Sequence, residues 1–304
     1  MPQKIIPSLW FDHTAREAVD FYLRAFPDAE EITVTRYPHE GLLDFQQEFA
    51  GQELEITFRL GDMTFSAINA GPEFAINHSI SMMLHFDPRT DADARRHLDE
   101  LWAALGEGGT ALMELDSYDF SAHYGWLRDR YGMTWQLILS NPDSEPRPFI
   151  TPSLMFPHNK AQGHEAIELY TSLFENSRVG TVAPYPPEAE MADGSIMYSD
   201  FQLAGQWFVI MDAGGPQECT FNEGVSLVVN CADQAEIDRL WDALSAVPEA
   251  EQCGWCKDRF GVSWQIVPQN MDELMAIPHS YEALLRMHKI VIADFRAGGA
   301  DTAQ

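Results

Sequence analysis

The stretch that decides the fold is residues 125–136, which read GWLRDRYGMTWQ. It returns at residues 254–265 as GWCKDRFGVSWQ, aligned without a gap, with both glycines, both tryptophans, the Asp-Arg pair and the final Gln retained. Such self-similarity indicates an internal duplication. The Asp-Arg-aromatic-Gly segment is typical of a turn, and the apolar residues after it suit a strand. Each copy therefore predicts a strand, a tight turn and a second strand.

The duplication extends to the start of each half. The segment Ile5–Phe11 (IIPSLWF) returns as Ile150–Phe156 (ITPSLMF). Because residues two apart in a strand share a face, the repeated Leu and Phe should lie under a helix, while Trp10 and Met155 should face a cavity. By the same alternation, Trp135 and Trp264 should point away from the glutamines that follow them and into the core.

The remaining pattern predicts the order of the elements. Helices are expected at 14–26, 91–105, 160–174 and 234–244, the first with Thr14 and Glu17 spaced as a capping box. Strands are expected at 31–37 and 43–49, followed by a hairpin over 53–68. Each half thus reads βαβββ twice. A single helix should cover 280–296, and residues 298–304 should fray. We divide the chain into a first domain (1–140), a linker (141–149), a second domain (150–275) and a C-terminal helix and tail (276–304).

Composition excludes several classes of function. The 304 residues carry a net charge of −28, which argues against binding nucleic acid or an anionic membrane surface. No apolar run is long enough for a membrane helix, and no signal peptide is evident, so we expect a cytoplasmic protein. The four cysteines all lie in the second half, and Cys256 of the Cys-x-x-Cys pair stands where the first copy has Leu127. Neither a disulfide framework nor a redox or zinc site is therefore expected.

Taken together, these features resemble the PhnB-like proteins of the vicinal oxygen chelate superfamily, which includes glyoxalase I, bleomycin-resistance proteins and extradiol dioxygenases. The resemblance is carried by Pro7–Phe11 in the first strand, by Ala18, Tyr22 and Phe26 in the first helix, and by the repeated Gly-Trp…Asp-Arg…Gly…Trp-Gln block. It implies an α+β fold of two tandem domains, each of two βαβββ modules that form a cup-shaped mixed sheet around a pocket. It also implies that the halves pack as an intrachain pseudo-dimer, and a homodimer of the whole chain stays open.

The resemblance also implies where a metal would bind. Its closing-strand ligand falls on Gln136 and Gln265, and its first-strand position falls on Ile6 and Thr151. A further ligand position lies at the first strand of the second module in each half. It falls on His78 or His85 in the first half and on Glu223 in the second. Glu53 or Glu55 completes the first set, and Asp200 completes the second. The pattern departs from a metal site because Ile6 has no donor atom and an amide oxygen is a weaker ligand than a carboxylate. The main candidates for binding a divalent metal are therefore His78, Gln136, Glu223 and Gln265.

Two functions remain open. We expect first that the protein binds a small organic molecule, largely apolar or aromatic, through Trp10, Gln136, Met155 and Gln265, without a tightly bound metal. The alternative is a metal-dependent, glyoxalase-like lyase or isomerase, or an oxygenase. The family label "demethylubiquinone methyltransferase" has no counterpart in the residues, since no glycine-rich turn follows a strand as S-adenosylmethionine binding needs. No nucleophile motif is present either. The two arginines of the repeat, Arg130 and Arg259, are expected to form ion pairs at the turns.

Overall fold

The computed structural model describes residues 3–297, and residues 298–304, for which we expect fraying, lie outside that range. The first half contains β1 (Ile5–Phe11), α1 (Ala15–Ala25), β2 (Ala29–Arg36), β3 (Glu53–Leu60), β4 (Met63–Asn69), β5 (Ile80–Phe86), α2 (Ala94–Gly106), β6 (Thr110–Tyr118), β7 (Ser121–Arg128) and β8 (Thr134–Leu139). The second half contains β9 (Ile150–Phe156), α3 (Gly163–Leu173), β10 (Arg178–Pro184), β11 (Ile196–Leu203), β12 (Gln206–Asp212), β13 (Val225–Cys231), α4 (Gln234–Leu244), β14 (Trp255–Lys257) and β15 (Ser263–Pro268). Three short helices follow: α5 (Met271–Met275), α6 (Ser280–Leu285) and α7 (Ile292–Ala297).

The strands form two mixed sheets. The seven-stranded sheet has the order β14-β15-β13-β1-β4-β3-β2, and the eight-stranded sheet has the order β10-β11-β12-β9-β5-β8-β7-β6. The α+β class with cup-shaped mixed sheets is thus confirmed. The modules that share a sheet, however, are not the consecutive ones that the sequence predicted. The first module pairs with the fourth through β1 and β13, and the second pairs with the third through β5 and β9. Each sheet therefore contains strands from both halves.

Several local predictions were wrong. Residues 43–49 are not a strand, because Asp44–Phe49 forms a 3₁₀ helix. The Thr14 side chain makes no capping hydrogen bond, and Asn69 Oδ1 instead accepts from the Ala15 N–H at 3.0 Å. The span predicted as one helix, 280–296, contains two short helices, α6 and α7. The hairpin between β3 and β4 and the strand–turn–strand form of the repeated block are confirmed, with Gly132 and Gly261 at φ of 93° and 92°.

The fourth module has two closing strands where three were predicted. The backbone of the C-terminal tail instead bonds to the two residues just before β14. The Cys253 N–H donates to the Met287 carbonyl at 2.8 Å, and the Gly254 N–H donates to the His288 carbonyl at 2.7 Å. The tail thus satisfies backbone groups of the chain that leads into the edge strand.

The repeated Asp-Arg pair has two different roles. Asp129 accepts hydrogen bonds from the Tyr22 hydroxyl (2.9 Å) and from Trp135 Nε1 (2.8 Å), and Asp258 does the same with Tyr170 and Trp264. Since α1 packs on the seven-stranded sheet and Asp129 follows a strand of the eight-stranded sheet, the Tyr22–Asp129 hydrogen bond ties the two sheets together, and the Tyr170–Asp258 hydrogen bond does the same in the other direction. Both tryptophans are fully buried, as predicted.

The arginines of the pair lie at the surface. Arg130 and Arg259 form the expected ion pairs, with Glu107 at 3.2 Å and Glu165 at 3.8 Å. Within residues 3–297, no helix is long and apolar enough to cross a membrane.

Candidate functional site

The face of each sheet away from the helices forms a concave surface. We call the concave face of the seven-stranded sheet cup A. Because alternate residues of a strand share a face, cup A is lined by Ser8 and Trp10 of β1, Glu55 and Thr57 of β3, Ser66 of β4, Ser226 of β13, Trp255 and Lys257 of β14, and Gln265 of β15. The concave face of the eight-stranded sheet, cup B, carries Ser81, Met83 and His85 of β5, Gln136 of β8, Thr151, Ser153 and Met155 of β9, Asp200 of β11 and Trp207 of β12. The predicted binding residues therefore separate into two pairs. Trp10 and Gln265 lie in cup A, whereas Gln136 and Met155 lie in cup B.

An aromatic wall lines cup A. The Trp10 ring lies edge-to-face with Phe74 (centroids 5.0 Å apart) and with Trp255 (5.8 Å). Trp10 Nε1 donates to the Gly71 carbonyl at 2.7 Å, which fixes the orientation of the indole. All three rings are partly exposed, and Trp255 lies directly opposite Gln265 in the β14–β15 pairing. Cup A thus joins an apolar surface to a polar amide.

The floor of cup A is polar. Gln265 Nε2 donates to Ser226 Oγ at 2.9 Å, while its Oε1 accepts no hydrogen bond from any residue in the described part of the chain. On β4, three strands from β15, the Ser66 hydroxyl donates to Glu55 Oε1 at 2.5 Å, and Ser8 Oγ lies 3.4 Å from Ser66 Oγ. Gln265 and Glu55 are both partly exposed. The floor therefore presents an acceptor and a carboxyl group to anything that enters.

An ion pair closes one side of cup A. Glu223 Oε1 lies 2.8 Å from Lys257 Nζ. The second carboxylate oxygen of Glu223 is buried and has no hydrogen-bond partner among residues 3–297. The ammonium group of Lys257 thus neutralises the side chain that the sequence offers as a metal ligand.

The corresponding glutamine of cup B is already satisfied. Gln136 Nε2 donates to Ser81 Oγ (2.6 Å) and to Ser153 Oγ (3.3 Å), and its Oε1 accepts from the Tyr124 hydroxyl (2.9 Å). Gln136 is 3% exposed. This glutamine is therefore bound within the protein, unlike Gln265.

The linker closes the other end of cup B. Arg147 Nη2 lies 2.6 Å from Asp200 Oδ2, and its guanidinium stacks on the Trp207 ring at 3.9 Å from the centroid. Burial lowers the pKa of His85 to about 4, so its imidazole is neutral. In the part of the chain that the structure describes, His85 Nε2 and Thr151 Oγ1 are buried without a partner. Cup B is thus mostly closed, with two unsatisfied polar atoms in its floor.

The four metal candidates do not converge. His78 lies in the loop before β5, where its Nε2 is 2.8 Å from Gln217 Oε1, and Gln136 belongs to the same module. Glu223 and Gln265 belong to the fourth module, in the other sheet. The further candidates Glu55 and Asp200 were predicted to accompany Gln136 and Gln265, respectively. The structure reverses this grouping: Glu55 shares cup A with Gln265, and Asp200 shares cup B with Gln136. Within the described residues, no three His, Cys, Asp or Glu side chains are grouped to hold a metal.

The C-terminal tail covers cup A. The two edges of the seven-stranded sheet are β2 and β14, and α6 contacts the chain next to both. At the first edge, a Cβ on Gly41 would lie 2.6 Å from Glu282 Cγ. At the second edge, Gln252 Nε2 donates to the Leu285 carbonyl at 2.8 Å. The tail therefore bridges the rims of the cup.

Sequence reasoning missed part of this site. Phe74 lies in a loop that carries no motif, and Lys257 is paired with Glu223 through the fold alone. Residues two apart in a strand share a face, so the sequence could have predicted that Trp255 and Lys257 line the same cup. The cysteines of the Cys-x-x-Cys pair are free thiols, and burial raises the pKa of Cys256 to about 12.

Glyoxalase I of Zea mays has the same fold: the match has a TM-score of 0.54, covers 91% of this chain and 96% of that one, and has 11% sequence identity. At that identity the likeness shows the fold alone.

Sequence comparison identifies the family to which the chain belongs. The family described as 3-demethylubiquinone-9 3-methyltransferase matches residues 3–138 and again 148–267, so the chain belongs to this PhnB-like family. A PhnB protein from Bacillus cereus is 30% identical and matches over 45% of this chain and 100% of its own length, with a TM-score of 0.38. Protein PA1353 of Pseudomonas aeruginosa is 21% identical over 45% of this chain and 98% of its own, with a TM-score of 0.35. No curated protein matches the chain.

Proposed function

We propose that the protein binds a small organic molecule in cup A without a tightly bound metal. The observation that carries this proposal is the unpartnered oxygen of Gln265 beside the aromatic wall of Trp10, Trp255 and Phe74. A mostly apolar concavity with a few polar groups that fix orientation is what small-molecule binding sites have in common. The matching amide of cup B, that of Gln136, is buried and already hydrogen-bonded, which favours cup A.

The donor atoms of cup A do not suit a divalent ion. Ile6 offers none, Gln265 offers a neutral amide oxygen, and Glu223 is paired with an ammonium group 2.8 Å away. Glu55 offers a carboxyl, but it belongs to no group of three His, Cys, Asp or Glu side chains among residues 3–297. A lysine at that distance disfavours a metal cation on the same carboxylate. In cup B, both ends of the Gln136 amide are occupied, and His78 faces Gln217 outside the strand. For this reason we place the metal-dependent lyase, isomerase or oxygenase second.

Methyl transfer has no support in the site. A methyl donor such as S-adenosylmethionine needs a strand followed by a glycine-rich turn, and the sequence contains none. We carry over from the family its fold and its two modules per sheet, and we leave its described activity aside. The domain boundaries, the cytoplasmic location and a homodimer stay predictions.

Chelation tests the proposal. Protein purified without a metal-binding tag should contain far less than one equivalent of Zn, Ni, Mn or Fe by elemental analysis. Small aromatic molecules that bind it, detected by ligand-observed NMR, should bind equally well after treatment with EDTA. Stoichiometric metal, together with loss of binding on chelation and its return on adding the metal, would overturn the proposal. The variant Gln265→Ala then tests whether the ligand lies in cup A, because it should weaken binding while Gln136→Ala leaves binding unchanged.

A further inference from the structure

We infer that the ligand of cup A is a flat, largely apolar molecule that carries a protonated amine, and that Glu55 is the residue that selects the amine. The inference rests on the proposed function of cup A and goes beyond it by naming the chemistry of the ligand.

Glu55 is a carboxyl group without a counter-charge. Its one side-chain hydrogen bond is the one from Ser66, at 2.5 Å. None of the ion pairs among residues 3–297 includes it. The neighbouring cations are engaged elsewhere: Arg59 pairs with Glu30, Arg16 and Arg36 pair with Glu53, and Lys257 pairs with Glu223. A carboxyl group deep in a concavity costs free energy unless a cation or several donors meet it.

The fold itself does not require this carboxyl. The repeat aligns Phe58 with Phe201, so that Glu55 corresponds to Tyr198 in cup B. Where cup B does contain an acidic residue, Asp200, the linker supplies Arg147 at 2.6 Å. Among residues 3–297, no arginine pairs with Glu55 in this way. We conclude that the missing cation is one that the ligand brings.

The charged groups near Glu55 are acidic. Burial raises the pKa of Glu55 most, the Ser66 hydrogen bond lowers it, and the negative charge of Asp272 of α5 raises it. A cation placed beside this carboxyl would be attracted by both acidic groups and would favour the ionised form of Glu55. Ring faces carry negative potential, so the exposed faces of Trp10, Trp255 and Phe74 also attract cations. A carboxylate ligand would meet repulsion from all of these groups.

The spacing fits a ligand of moderate size. Trp10 and Glu55 lie on strands that are two apart, with Ile68 of β4 paired to both. Two strand spacings are about 10 Å, which a one- or two-ring body with a short amine arm spans. Gln265 Oε1, opposite Trp255, is then left to accept from a second donor on the ring body.

A charge-matched fragment screen tests the inference. The probes are one- and two-ring aromatic bodies, each present as a primary amine, an alcohol and a carboxylate, measured by ligand-observed NMR at pH 7. We expect each amine that binds to have a Kd at least about tenfold lower than its alcohol, with no binding of the carboxylate. Glu55→Gln should bring the amine within about threefold of the alcohol. The matched control is Tyr198→Phe, the same position in cup B, which should change neither.

Stability provides a second readout. Because Glu55→Gln removes an unpaired carboxyl, its melting temperature should equal or exceed that of the wild type, which a purely structural role of Glu55 would not produce. Should this variant fail to fold, Asp272→Asn replaces it, with a smaller loss of amine affinity, about two- to threefold.

The outcomes separate this inference from the proposed function. If fragments bind but prefer alcohols or carboxylates, or ignore Glu55→Gln, this inference alone is wrong. If no fragment of any class binds in a way that Trp10→Ala abolishes, the proposed function fails as well.

Discussion

Removing the Tyr22 hydroxyl should weaken the hydrogen bonds that join the two sheets. In the native chain this hydroxyl donates to Asp129 Oδ2 at 2.9 Å, and Trp135 Nε1 donates to the same oxygen at 2.8 Å. The backbone N–H groups of Tyr131 and Met133 fill the other oxygen. Tyr22→Phe therefore takes one of four donors from a buried carboxylate and leaves the ring in place.

The magnitude follows from the ionisation of Asp129. Burial raises the pKa of Asp129 to about 6, against hydrogen bonds that lower it. At pH 7.5 the carboxyl is ionised, and a lost hydrogen bond to a charged group should lower the free energy of unfolding by about 1.5–3 kcal/mol. At pH 5 the carboxyl is protonated, the lost bond is a neutral one, and the expected loss falls to about 0.5–1.5 kcal/mol.

Urea denaturation at the two pH values measures both losses. Tyr131→Phe is the matched control, since this partly buried ring lies in the same aromatic cluster and its hydroxyl makes no side-chain hydrogen bond within the described chain. Its change should stay within about 0.5 kcal/mol at either pH. If Tyr22→Phe costs no more than Tyr131→Phe, or costs more at pH 5 than at pH 7.5, the reasoning is refuted.

Four further outcomes are expected. The wild type should lose stability as pH rises from about 4 through 6, because the folded Asp129 holds its proton to a higher pH than the unfolded carboxyl, and Asp129→Asn should flatten that part of the urea-denaturation profile. A disulfide between Gly41→Cys and Glu282→Cys, whose Cβ atoms would lie within about 4 Å, should fix the tail over cup A and slow fragment binding in stopped flow until dithiothreitol is added; an unchanged rate would contradict a covering tail. Gln136→Ala should lower the urea midpoint, since it leaves Ser81, Ser153 and Tyr124 without their partner, yet leave fragment Kd values unchanged by NMR. EDTA should not shift the melting temperature, and a fall of several degrees that added zinc or manganese reverses would argue for a structural or catalytic metal.

Much of the fold was predictable because the repeat carries it. The invariant Trp135 and Trp264 marked the core face, and the glycines at 132 and 261 marked turns that need positive φ. The pairing of the modules was not predictable. The first strands of all four modules are buried on the helix face and differ little in pattern, so alternation alone does not say whether β1 pairs with β5 or with β13. That choice depends on long-range packing of whole modules.

The candidate site, like the fold, was predictable only in part. Trp10 stood out because it is one of the few residues that differ within a repeated strand, and it does lie on a partly exposed wall. Gln136 and Gln265 looked equivalent in sequence, and only the structure shows that one amide is saturated and the other is not. The carboxyl of Glu55 was assigned to the wrong cup, because the sequence predicted that consecutive modules share a sheet.

The measurement that tests the central claim most directly compares the two pseudo-symmetric positions. A fragment that binds the wild type is titrated by calorimetry into Trp10→Ala and into Met155→Ala, which truncate the same position of cup A and cup B. We expect Trp10→Ala to raise the Kd at least about tenfold, since it removes a large aromatic contact, and Met155→Ala to leave it within about twofold. The reverse pattern, with binding lost in Met155→Ala and kept in Trp10→Ala, would place the ligand in cup B and contradict the account.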